Sequence, residues 1–499
     1  MTAMFDSSRK RWLALIVLCL GDLMIVVDMT IVNVALPSIR EDLAFTETSL
    51  VWVVNAYMLT YGGFLLLGGR LGDLYGQRRL FLLGTTLFTL ASLACGLSGS
   101  QGLLVVARAV QGLGGAVVSA IALSLIMNLF TEPVERAKAM GIYGFVMAGG
   151  GSVGALLGGL LTGALSWHWV FLVNIPIGVA VYALTVILLR ESRAPAGAAR
   201  LDVGGAVTVT ASLMLAVYAV VNGNDAGWTS AQTLTLLGAA AVLLALFLAI
   251  ETWVRDPLMP LRLFRLRSVA TANVVGILWS AAMFAWFFVS ALYLQLVLGY
   301  SAMQVGLAFL PANLIMAAFS LGLSAKMVMR FGIRVPLAAG LALTAAGLAL
   351  FALSPVDGSF ALHVLPGMTL LGIGCGMAMN PVLLAAMSDV PQSESGLASG
   401  VVNTAFMMGG ALGLAVLASL AAARTDRLLA LGADSLSALN GGYHIAFAIG
   451  AIFAAAAAFA SAVLLRTGGQ ASAHERDEAA PDSAKGMQAA AGSAGKPIG

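Results

Sequence analysis

Charge is scarce in this chain. Only 10% of its 499 residues are Asp, Glu, Lys or Arg, where a soluble domain carries roughly 25%. That deficit excludes a soluble fold. The 60% hydrophobic content and mean hydropathy of +0.96 indicate a chain whose solvent is lipid. Cysteine is scarcer still. Cys19, Cys95 and Cys375 are an odd number in separate apolar runs, which argues against a disulfide framework and for inert packing. The four histidines are scattered, without metal-ligand spacing. Five lysines remain, and none sits in the G-x-x-x-x-G-K-[ST] loop that an ATP-driven pump requires. Gly495-Lys496 is followed by Pro497 and lacks the upstream glycine. No Ser-His-Asp set is visible either, so neither an enzyme nor a cofactor is expected.

Long apolar runs are what the chain has instead. A membrane span needs about 20 such residues. Fourteen runs qualify: 12–36, 49–69, 80–98, 102–128, 138–163, 167–189, 203–222, 233–254, 269–297, 304–328, 335–354, 361–388, 397–422 and 443–466. They read as helices, because barrel strands would alternate over about ten residues. The predicted class is an all-α polytopic membrane protein. With both termini cytoplasmic, 22 of the 26 Lys and Arg fall on the inner side. Arg40, Arg424 and Arg427 fall outside, and Arg108 alone lies within a run away from its ends. The net charge of +3 reports this asymmetry and gives no sign of nucleic-acid binding. The opening RKRWLALIVLCL imitates a signal peptide but shows no small-residue cleavage site, so it reads as a retained first span.

The chain repeats itself at an offset of 256. Gly76 falls on Gly332, Arg78 on Arg334, Gly144 on Gly400 and Gly154 on Gly410. The expected organisation is a six-helix bundle over 1–190, a linker with two extra spans over 191–268, a second six-helix bundle over 269–466, and a disordered cytoplasmic tail over 467–499. Parallel repeats of this kind are a transporter architecture, with the substrate site near midplane between the halves.

Two carboxylates interrupt the first run, Asp22 and Asp28. An ionisable group at bilayer depth costs at least ~2.5–3.5 kcal/mol and is read first as functional. Asp28 lies about 12 Å below the outer end of its run, and Arg108 about 9 Å below the outer end of the fourth. If those spans are neighbours, the two can pair directly or through water. Gln111 follows Arg108 by one turn. The other reading of Arg108 is a side chain that snorkels to the outer interface. Asp22 points about 120° away from Asp28. It suits a second proton site, a partner for a substrate cation, or a carboxyl kept neutral by helix contacts. Gly150, Gly154, Gly158 and Gly159 give the fifth run a smooth face, as a motif or as ordinary close packing. Aromatics are dense in the ninth run. Trp279, Phe284, Trp286 and Tyr293, with Asn313 beyond, are candidate substrate contacts, though lipid-facing aromatics are common too.

The connection GGRLGDLYGQRR resembles the cytoplasmic loop of the major facilitator superfamily, with Gly69, Leu71, Asp73, Gly76, Arg78 and Arg79 at the matching positions. The resemblance implies that Gly69, Asp73, Gly76, Arg78 and Arg79 form a gating loop that latches the two halves. The second-half counterpart, AKMVMRFGIR, keeps Gly332 and Arg334 but has Met329 in place of the acid. Arg108 and Gln111-Gly112 resemble the family's fourth-span motif, associated there with proton coupling. Gly154 to Gly159 resemble its antiporter motif, except that Ala155 replaces the proline. VDMTIVNVALPSI and WHWVFLVNIPIG resemble signatures of the fourteen-span drug:proton antiporters. Asp28, Arg108, Asp22 and Gln111 are therefore the expected proton-coupling residues.

The resemblance implies proton-coupled multidrug or antibiotic efflux from the bacterial cytoplasmic membrane, by a monomer driven by the proton gradient. The expected partners are a lipophilic small-molecule substrate, protons and the lipid bilayer. The alternative on the same fold is a facilitator or proton symporter of a small metabolite.

Overall fold

The computed structural model describes residues 8–130, 132–189, 202–254, 257, 259–387, 389–390 and 395–465. The expected tail at 467–499 and most of the connection after the first bundle lie outside them. The helices are α1 (Ser8–Leu43), α2 (Glu47–Tyr75), α3 (Gln77–Gly96), α4 (Gln101–Leu129), α5 (Pro133–Ala164), a one-turn α6 (Trp169–Leu172), α7 (Asn174–Leu188), α8 (Val203–Ala226) and α9 (Ala231–Trp253). After them come α10 (Arg267–Leu292), α11 (Ala302–Ala318), α12 (Ser324–Phe331), α13 (Arg334–Phe351), α14 (Leu365–Met387), α15 (Ser395–Ala430) and α16 (Ser435–Leu464). Among the described residues there is no strand. An apolar run in lipid must satisfy its backbone internally, and the helix does so.

Wide π turns extend α10 at Tyr293–Val297, join α11 to α12 at Phe319–Leu323 and lead into α14 at Phe360–Val364. The resulting helical stretches fall on the runs chosen from apolarity. Among the described residues, eleven helices, against fourteen runs, are long and apolar enough to cross a membrane on those grounds alone. Several outlast their runs: α2 reaches Tyr75 where apolarity stops at 69, and α15 reaches Ala430 where it stops at 422. Helicity continues past the residues that suit hydrocarbon.

The supposed gating loop is mostly helix. Gly69 and Asp73 lie within α2, and the whole connection to α3 is Gly76, at φ 98. That backbone conformation favours glycine, and Gly332, between α12 and α13, repeats it at φ 72. The Asp73 side chain lies outside the description. Arg78 Nη2 donates to the Val186 carbonyl at 3.0 Å and ties α3 to the end of α7.

Helix pairing repeats as the sequence does. α2–α4, α3–α4, α1–α5, α1–α7 and α3–α7 are matched by α11–α14, α13–α14, α10–α15, α10–α16 and α13–α16. The two most extensive contacts between the sets, α5 with α11 and α2 with α15, also exchange under the repeat, and α1 adds smaller ones to α10 and α11. The inserted pair α8–α9 packs through α8 onto both α2 and α15. The α5–α11 and α2–α15 contacts form a seam, and the polar groups of interest lie beside it.

Candidate functional site

Six elements of the first half converge on Asp28. Arg108 of α4 donates from Nη1 to Asp28 Oδ2 at 2.5 Å. Gln111 Nε2 and Asn174 Nδ2 donate to Oδ1 at 2.7 and 2.8 Å. The carboxylate thus accepts three hydrogen bonds and donates none, the pattern that suits its ionised form. Arg108 is fixed from other sides as well. Its Nε donates to the Val53 carbonyl of α2 at 2.9 Å and its Nη1 to Gln111 Oε1 at 2.6 Å. Its guanidinium carbon lies 4.4 Å from the Tyr57 ring centre and 5.6 Å from that of Phe171 in α6. Ser92 of α3 accepts from Gln111 Nε2 at 2.7 Å. Asp28, Arg108, Gln111, Ser92 and Asn174 are each at most 1% exposed. Arg108 is therefore sealed inside the bundle and does not snorkel.

Asp22 stands apart from this network. Ser119 Oγ of α4 donates to its Oδ1 at 2.5 Å, and no hydrogen bond forms at Oδ2. Unlike Asp28, it has no cationic partner.

The glycines of α5 do two different things. A Cβ at Gly150 would come within 2.8 Å of Val26, at Gly154 within 2.8 Å of the Val27 carbonyl, and at Gly158 within 2.7 Å of the Ile31 carbonyl. These three let α5 lie directly on the turns of α1 that carry Asp28. Gly159 faces across the seam, where a Cβ would meet the Ala302 carbonyl at 2.7 Å. Gly306 of α11 answers it from the far side, against the Ala155 carbonyl at 2.7 Å. Polar ties cross near the same end of the bundle: Asn55 Nδ2 to the Ala411 carbonyl at 2.8 Å, and Gln295 Nε2 to the Val34 carbonyl at 3.1 Å.

A carboxylate–arginine pair buried beside a seam between repeated helix sets suits a machine that moves its halves. Residues 18–414 match the Major Facilitator Superfamily model. The chain belongs to this superfamily. It is 39% identical over 451 residues to a puromycin resistance protein of Streptomyces alboniger, covering 89% of each chain. It is 39% identical to a cephamycin export protein of Amycolatopsis lactamdurans, covering 83% of this chain and 85% of that one. It is 38% identical to a lincomycin resistance protein of Streptomyces lincolnensis, with the same coverage of each. Two solved transporters share the fold. A nucleoside transporter gives a TM-score of 0.63 at 12% identity, over 92% of this chain and 100% of that one. An inward-facing bacterial homologue of the lysosomal transporter Spinster gives 0.64 at 17%, over 92% and 98%. Membership of a transport superfamily makes this a multi-pass plasma-membrane protein rather than an enzyme.

The superfamily motifs locate only part of the site. Asp28, Arg108 and Gln111 come together, while Asp22 lies elsewhere. Motif resemblance also covers Asn174, in WHWVFLVNIPIG, but a polar residue in an apolar stretch gave no sign that it would reach Asp28. Ser92 and the Val53 carbonyl carry no sequence signal at all.

The five aromatic and amide candidates do not form one surface. Trp279 is fully buried against Phe406, in a core shared with α13 and α14. Phe284 packs on the same Phe406. Trp286 packs with Phe287 and Phe309, and Tyr293 donates to the Pro355 carbonyl at 2.9 Å, both in a separate core. Asn313 is buried, and both polar atoms of its amide lack partners.

Proposed function

We propose that this chain exports lipophilic drugs or antibiotics from the cytoplasm in exchange for protons. It does so by alternating access, with fourteen spans, both termini inside, and two six-helix bundles joined by α8 and α9. The relatives that carry antibiotic resistance or export names support the substrate class. The observation that carries the coupling is the sealed Asp28–Arg108 pair.

Protonation at Asp28 removes the charge that Arg108, Gln111 and Asn174 all address. Arg108 then loses its counter-ion while buried, which costs several kcal/mol unless the surroundings rearrange. Besides Gln111 of its own helix and the Phe171 ring, its remaining ties run to α2 through Val53 and Tyr57. α2 is also one of the two first-half helices at the seam, so a change at Asp28 bears directly on the α2–α15 contact. Opening to the outside separates Asn55 from Ala411 and Gly159 from Ala302. A proton falling through about 100 mV and about one pH unit releases ~3.7 kcal/mol. That sustains a gradient of several hundredfold for a neutral compound exchanged one for one.

The deciding experiment is proton-driven efflux in vesicles by wild type and Asp28→Asn at matched protein levels. The variant is expected to lose coupled transport. Coupled transport at the wild-type rate would sink the proposal.

A further inference from the structure

Asp28 is sealed inside the bundle, so a proton arriving from outside needs an entrance. One short segment leads from the pair to the surface. Trp167, Phe171 and Asn174 fall at i, i+4 and i+7, on one side of a helical path that starts at Ser166 and runs through α6 into α7. Each meets a different partner. Asn174 Nδ2 donates to Asp28 Oδ1 at 2.8 Å. The Phe171 ring centre lies 5.6 Å from the Arg108 guanidinium carbon. Trp167 packs edge-on against Phe171, with ring centres 6.3 Å apart, and its Nε1 donates to Asp42 Oδ2 of α1 at 2.9 Å. Beyond Trp167 is a cavity of about 530 Å³ whose lining includes Glu41 and Asp42 of α1, Thr162 of α5 and His168. On the proposed orientation this is the outer face. Glu41, Asp42 and His168 are the titratable groups of its wall. Glu41 and Asp42 are exposed, whereas Trp167 is 4% and Phe171 0% exposed. The polar wall and the dry interior thus meet at one indole, on which the His168 ring stacks with centres 3.8 Å apart.

A proton travels along water and groups that can accept it. An indole only donates, and a phenyl ring does neither. Two such rings in series interrupt the path from the cavity to the ion pair. We propose that Trp167 is the plug of the outer proton entrance to Asp28, and that its hydrogen bond to Asp42 is the latch that keeps the entrance shut. This rests on the proton-coupled export reading and gives its proton a route. Only Leu165 and Ser166 separate Trp167 from the end of α5, the helix that carries Gly159 at the seam. Parting the seam at Gly159 and Ala302 therefore pulls on the plug. Withdrawing the segment takes Phe171 off Arg108 and Asn174 off Asp28 in the same movement. The entrance then opens only when the outer seam does, and protons do not leak through the closed state. Trp167 and Asp42 act here as positioning residues.

The test is proton flux into proteoliposomes that hold the full chain, without substrate, after an imposed pH step. An enclosed pH dye gives the readout, and thermal melting checks folding. Wild type should admit protons slowly. Asp42→Ala, at an exposed position, removes the latch and should raise the flux severalfold. Asp42→Asn keeps an acceptor oxygen for the indole and should restore most of the seal. Trp167→Ala should raise the flux further. Adding Asp28→Asn to Asp42→Ala should return the flux to the wild-type rate, which a bundle that is merely loosened would not show. If Trp167→Ala does not fold, the Asp42 series decides alone. Unchanged flux in Asp42→Ala, the same raised flux in Asp42→Asn, or a leak that survives Asp28→Asn overturns the proposal. Efflux by Asp28→Asn decides the export reading separately, so the two failures are distinguishable.

Discussion

The two halves share a helix-pairing pattern but fill its centre with opposite chemistry. At the offset of 256, Asp28 corresponds to Phe284, Arg108 to Val364, Gln111 to Gly367 and Ser92 to Leu348. The first half closes around an ion pair with amide and hydroxyl partners. The second closes around Phe406, Phe284 and Trp279, with Val364 and Leu348 in an apolar core. The architecture therefore does not need charge. Buried ion pairs are often no more stabilising than apolar residues of similar volume. Carrying one in a single half is a cost without structural return, which is why the network reads as machinery.

The largest effect should come from making the first half resemble the second. Asp28→Leu combined with Arg108→Met should abolish coupled efflux while leaving the melting temperature near or above that of wild type. Arg108→Met alone strands a buried carboxylate and should cost about 3–5 kcal/mol, seen as a large fall in the detergent-purified melt. A double variant as unstable as the single one would show that the pair is structural.

Next in size are the glycines at matched positions. Gly154→Ala pushes a methyl against the Val27 carbonyl, which is backbone, whereas Gly410→Ala meets the ring of Phe284 and the end of Met58. Overpacking against a fixed wall costs typically 1–3 kcal/mol. Gly154→Ala should therefore lower the melt more than Gly410→Ala, and equal losses would refute the distinction.

Asn174→Ala removes one of three donors to Asp28. It should slow coupled efflux severalfold at matched expression, less than Asp28→Asn does.

The smallest effect lies at the ends of the last helices of each half. α16 starts on Asp434, whose carboxylate accepts from Ser437 N at 3.0 Å, while α7 starts on Val173 with no side-chain cap. The bonds to Ser437 hold the Asp434 carboxyl below its usual value. A lowered folded-state value stabilises above the unfolded one and fades as pH falls through the folded one. Asp434→Ala should therefore bring a small stability loss at neutral pH that disappears in acid, read as the difference between two melts.

Much of this was legible in the sequence, for physical reasons. Hydrocarbon demands apolar runs, so the helices could be placed. A carboxylate in such a run stands out, so Asp28 could be chosen, and depth at 1.5 Å per residue matched it to Arg108. Ends were harder. The α2–α3 joint looked like a loop because its residues are polar, yet only Gly76 leaves the helix. Ser92 and Asn174 were invisible as ligands because small polar residues are tolerated in spans, and nothing in their spacing says which face they take. The aromatic candidates failed to gather because density along one helix does not fix direction around it.

The packing of α8 on α2 and α15 makes the molecule's two flanks unequal for anything dissolved in the bilayer. On that flank α8 covers the line where α2 meets α15. On the other, the α5–α11 crossing is made by the two halves alone, held at Gly159 and Gly306 by carbonyl contact. On that flank the spacing of the two halves is set by two residues without side chains.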